Sequence, residues 1–142
     1  MTDIQGCIEK GYLRKTEPDP KIIEKELSEA DYDFERAKHA FEEKDFKWCI
    51  IKSYYCMFHA ARAVLFSLGL KEKRHFAVQV VLEDLIKKGR LESIYLDYLS
   101  SAMEWREDAD YRYTHSEETA IDCIENAGKF LAKMKELLKR RD

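Results

Sequence analysis

At 142 residues the chain has the length of one ordinary domain, expected over residues 1–142, and can bury a core without a metal or disulfide. Charged residues make up 37% and the hydrophobic set 45%, with five glycines and two prolines, which argues against disorder and favours a charged-surface helical protein. A net charge of −3 argues against a uniformly basic nucleic-acid binder, and four scattered cysteines without a Cys-x-x-Cys pair argue against a zinc knuckle or disulfide framework.

The first sixteen residues, with Ile4, Cys7, Ile8, Tyr12 and Leu13, read as a short helix or arm. Asp19-Pro20 then has the form of an N-cap followed by proline at the first helical position. Ile23, Leu27, Ala30, Phe34, Ala37 and Phe41 follow at spacings of four and three, which predicts a long helix with one apolar seam. A break at Glu43-Lys44-Asp45 precedes a second helix to about Leu68, where Gly69 supplies a left-handed stop. Its apolar residues wrap most of the way round, as expected of the central helix of a bundle. The remaining side carries Lys52, Tyr55, His59, Arg62 and Phe66, a face suited to covering neighbours, to a dimer contact or to one wall of a ligand cleft.

Phe76 to Lys88 predicts a third helix ended by Gly89, and Leu91 to about Ala109 a fourth, whose phasing leans Arg106 toward the bundle. Thr114-His115-Ser116-Glu117 has the form of a capping box before a last helix carrying Ala120, Ile124, Ala127, Leu131, Met134 and Leu138. Short connections favour antiparallel neighbours, so the expectation is an all-α, up-and-down bundle of four main helices with additional short helical segments and no strands.

Charge is distributed unevenly: residues 71–90 carry six Lys/Arg against three acids, residues 133–142 five against two, and residues 91–132 three against ten. The two basic segments would attract phosphate if they met in space, although charges at helix ends commonly serve as capping charges. There is no phosphate-cradling glycine loop, no His-Glu-x-x-His pair and no Gly-x-Ser-x-Gly elbow. His39, His59, His75 and His115 fall on four separate segments, so neither a metal nor another cofactor is expected. Arg62 interrupts the richest apolar run, so no membrane span is expected, and the protein is expected to be cytoplasmic.

The densest chemistry lies in Trp105–His115, where two arginines, two tyrosines, three acids and a histidine sit between two amphipathic helices. Turn geometry alone does not require such bulky groups. Tyr54-Tyr55-Cys-Met-Phe58-His-Ala-Ala61-Arg62-Ala-Val-Leu-Phe66, then Gly69, Lys73-Arg74-His75-Phe76, Arg106-Glu-Asp-Ala-Asp110-Tyr111 and Ala127 to Phe130-Leu131 together resemble the HEPN family (higher eukaryotes and prokaryotes nucleotide-binding). The likeness covers roughly residues 8–138 and is greatest to the small stand-alone prokaryotic members. It implies a helical bundle, frequently a homodimer, often paired with a minimal nucleotidyltransferase as a partner or in a toxin–antitoxin arrangement.

The ribonucleases of that family use an arginine followed after four to six residues by a histidine, placed where two subunits meet. Here Tyr111 stands after a four-residue gap from Arg106, and His115 comes only after eight. A phenol near its reference pKa of ~10 is a poor base at pH 7, a handicap of roughly 4 kcal/mol relative to a group already in its basic form. The expected function is therefore a non-catalytic module that dimerises and binds a nucleotide, RNA or a cognate nucleotidyltransferase. Its expected site comprises Arg106, Asp110 and Tyr111, assisted by Tyr55, His59 and Arg62. One alternative is a metal-independent ribonuclease using Arg106 and a displaced His115, and another is a purely structural oligomer.

Overall fold

The computed structural model describes residues 3–140, so Met1 and Thr2 of the expected N-terminal arm and Arg141 and Asp142 of the basic C-terminal run lie outside the described residues. Six helices account for most of the chain: α1 (Ile4–Glu9), α2 (Pro20–Glu42), α3 (Phe46–Ser67), α4 (Phe76–Lys87), α5 (Ile94–Tyr111) and α6 (Glu117–Lys139). Two three-residue strands, β1 (Leu13–Lys15) and β2 (Leu70–Glu72), pair antiparallel, matching Leu13 with Glu72, Arg14 with Lys71 and Lys15 with Leu70. The architecture is an all-α bundle of four long helices and two short ones, with this small two-stranded ribbon beside it.

Helix α3 is the centre of the bundle, with α2, α5 and α6 packed around it. Of its 22 residues, 14 are buried, which explains why its apolar pattern has no single seam. Helix α2 reaches it with small side chains, Ala30, Ala37 and Ala40, and α6 contributes Ala120, Ala127 and the fully buried Phe130. The outward side of α3 is only partly covered. Trp48 is exposed there, and Lys52, Tyr55, His59 and Arg62 are half-buried.

Local signals set the helix ends. Asp19 accepts a hydrogen bond from the Lys21 amide at 2.9 Å with Pro20 in the first turn, and Asp45 caps α3 through the Trp48 amide at 3.3 Å. Gly69 ends α3 at φ +74°, and a Cβ there would lie 3.1 Å from the Thr16 carbonyl oxygen, so glycine meets both the turn and the close approach of the N-terminal segment.

Several expectations require correction. The N-terminal arm contains a strand as well as a helix, and the bundle expected to lack strands has a two-stranded antiparallel ribbon. Each strand is too short to display a two-residue period, and each finds its partner more than fifty residues away. Helix α5 begins at Ile94 rather than Leu91 and continues through Tyr111, because Leu91 is used as a buried plug in the turn after Gly89. The cap of α6 is Ser116, whose hydroxyl accepts from the Thr119 amide at 3.1 Å; Thr114 instead turns back to the Arg112 carbonyl at 3.3 Å.

Candidate functional site

Arg106 lies in the last two turns of α5, with its side chain 14% exposed against α3. Its guanidinium carbon sits 5.2 Å from the Tyr54 ring centre and 6.0 Å from that of Tyr55, while Nη1 donates to Asp110 Oδ2 at 3.4 Å one turn further on. Tyr54 and Tyr55 meet edge to face at 5.1 Å, so the cation is bracketed by two phenols from one helix and a carboxylate from its own. Burial weakens the hold of Arg106 on its proton, but Tyr55, Asp110 and Tyr54 outweigh it and keep the pKa above its usual value. The group is a fixed cation. Burial pushes the Tyr54 phenol up to about 12, with Arg106 acting in the opposite sense, so Tyr54 is a neutral wall at physiological pH.

Two polar atoms in this bracket, Arg106 Nε and the Tyr54 hydroxyl, are buried without a hydrogen-bond partner among the described residues. Unsatisfied buried donors are costly, and a guanidinium offers a planar fork suited to paired oxygens of a phosphate or carboxylate. Just beyond, Tyr111 is 72% exposed and Tyr113 76% exposed, with Tyr113 at a left-handed φ of +56°. The Thr114 amide donates to the Asp108 carbonyl at 3.0 Å and closes the helix end around this turn.

His59 and Arg62 belong to a different constellation. His59 Nδ1 lies 2.8 Å from Glu26 Oε1 of α2, and Arg62 reaches Glu26 at 3.4 Å and Glu72 of β2 at 3.1 Å. Asp33 adds contacts of 3.8 Å to both His59 and Lys52, and burial pushes its carboxyl up. This network ties α2, α3 and β2 together, so the polar groups of His59 and Arg62 are engaged with carboxylates rather than with Arg106. His115 is exposed in the α5–α6 turn, and no hydrogen bond or ion pair joins it to Arg106 among the described residues.

The HEPN domain family matches residues 23–137. The chain belongs to the HEPN family. Two proteins of Methanocaldococcus jannaschii, each named a "putative toxin", are similar to it: one is 30% identical across 78% of this chain and 84% of the relative, the other 25% identical across 82% and 81%. A UPF0332 protein of Archaeoglobus fulgidus is 30% identical across 80% of this chain and 92% of its own length. In this HEPN chain the site residues proposed from sequence divide into Arg106, Asp110 and Tyr55, which share one bracket with Tyr111 following it, and His59 and Arg62, which are set apart. Sequence reasoning missed Tyr54 as the principal ring under Arg106, because the apolar stripe of α3 assigned it to the core. It also missed Glu26, Asp33 and Glu72, whose contacts with α3 depend on packing between elements.

Proposed function

We propose that this HEPN protein is a binding module, without ribonuclease activity of its own, that acts as a homodimer and captures RNA, a nucleotide or a cognate minimal nucleotidyltransferase through Arg106, Asp110 and Tyr111, with Tyr55 as one wall. The names of the archaeal relatives support placing it in a toxin–antitoxin type of pair. The observation that carries the reading is the Arg106 bracket: a buried, permanently charged fork with an unpartnered Nε beside an exposed phenol. Such a group stabilises an anionic oxygen without moving a proton. Proton transfer would need a second group near neutral pH, and the residue at the expected spacing is Tyr111.

Arg106→Ala is expected to weaken capture of a short unstructured RNA, a nucleotide or the partner enzyme by roughly 10- to 100-fold, the effect of losing a charged hydrogen bond of about 1.5–3 kcal/mol. Fluorescence anisotropy measures the first two ligands and calorimetry the third. Unchanged affinity for all three would remove Arg106 from the site.

A further inference from the structure

The β1–β2 ribbon has a charge pattern that folding alone disfavours. Its register sets Arg14 directly opposite Lys71, and like charges so placed repel. Arg14, Lys15, Lys73 and Arg74 are exposed and Lys71 is half-buried. Among the described residues none of these five cations has a carboxylate within ion-pair distance, and the one acid within the strands, Glu72, is turned inward to Arg62 at 3.1 Å. Where the α4–α5 turn meets the end of α6, around a cavity of about 300 Å³, Lys133 is held by Glu92 and Glu136 at 3.1 and 3.0 Å. Exposed cations such as Lys21, Lys25 and Lys44 also lack an ion pair among the described residues, but the five at β1, β2 and the turn that follows are gathered on one small ribbon of a chain whose net charge is −3.

Aromatic groups lie within it. Arg74 sits 5.9 Å from the Tyr12 ring centre, Tyr12 packs edge to face on Phe76 at 5.1 Å, and Phe76 is 42% exposed. Cations that follow a phosphate backbone, next to an accessible ring on which a base can stack, are the elements of single-strand binding. Arg62 fastens β2 to α3 through Glu72. A lipid headgroup surface would engage the cations but offers no base to stack on Phe76.

We propose that the β1–β2 ribbon is a second contact surface for single-stranded RNA, with Arg14 and Lys71 binding consecutive phosphates and Phe76 offering a stacking face. This rests on the reading of the protein as an RNA-binding HEPN module and extends it to the class of RNA. The test measures anisotropy of a short unstructured RNA across a salt series with the full chain, the Arg14→Ala/Lys71→Ala double variant, Lys71→Glu and Arg106→Ala. The double variant is expected to bind about tenfold more weakly at low salt, with the slope of log K against log salt reduced by about 1.4 for two lost phosphate contacts. Lys71→Glu should lose binding while melting at the same or a higher temperature, since it places opposite charges across the strands; that separates a lost contact from a lost fold. If the ribbon variants match the native protein while Arg106→Ala fails to bind, the ribbon inference falls and the Arg106 reading stands. The reverse pattern overturns the Arg106 reading alone. Binding to phosphatidylserine vesicles in place of RNA overturns the ribbon inference as well.

Discussion

Arg106 shows how the same residue types can brace or bind according to what they leave unsatisfied. Its bond to Asp110 is an ordinary one-turn helix pair, worth roughly 0.2–0.5 kcal/mol in an exposed setting, which is too little to account for the polar cluster around it. The packing on Tyr54 and Tyr55 and the unpartnered Nε are what distinguish it. Buried thiols are a contrasting case. Burial pushes Cys49 up to about 11 and Cys56 up to about 12, and pushes Cys123 further in the same direction, so none is a nucleophile near neutrality. A folded thiol keeps a proton that its unfolded counterpart, near 9.0, releases. Stability is therefore expected to fall as pH rises above about 9 toward the folded values, by up to about 1.4 kcal/mol per pH unit for each thiol. Thermal melts from neutral to alkaline pH measure this, and Cys123→Ala should flatten the decline. The position of Arg106 was legible in the helical phasing of the 99–106 segment, but the role of Tyr54 was not, since an apolar stripe does not reveal which of its rings lies beneath a cation.

At the level of elements, capping chemistry marks where helices start, yet its assignment to one residue depends on the turn that precedes it. Thr114-x-x-Glu117 and Ser116-x-x-Thr119 both offer a hydroxyl before the last helix, and the left-handed Tyr113 shifts the start so that Ser116 makes the bond. Ser116→Ala should therefore cost about 1 kcal/mol, whereas Thr114→Ala should change stability by a few tenths at most, as chemical denaturation would show. Equal costs would return the cap to Thr114. The long amphipathic helices were legible because each repeats its signal over several turns. The two-stranded ribbon was not: Leu13–Lys15 and Leu70–Glu72 have three residues each, and their pairing is specified by the turn at Gly69 and by Leu13 and Leu70 packing inward.

Across the whole molecule, the central helix has neighbours on three sides and a partly covered fourth, where Trp48, Lys52, Tyr55, His59 and Arg62 run along one stripe. Covering that stripe with a second copy would bury the exposed Trp48 and bring two Arg106 brackets toward one interface, which is the contact expected for the proposed homodimer. No described helix is long and apolar enough to cross a membrane. Light scattering is expected to give twice the 16.8 kDa chain mass, and Trp48→Glu is expected to shift the protein toward the single-chain mass without unfolding it. A native protein that stays at the single-chain mass at all concentrations would refute the dimer.

The central claim, that the Arg106 bracket binds rather than cleaves, is tested most directly by incubating native protein, Arg106→Ala and His115→Ala with labelled single-stranded RNA in chelator, following both retention and strand length. The account predicts retained, intact RNA with native protein and with His115→Ala, and at least about tenfold weaker retention with Arg106→Ala. Shortened RNA with native protein, intact RNA with His115→Ala and undiminished retention by Arg106→Ala would contradict it.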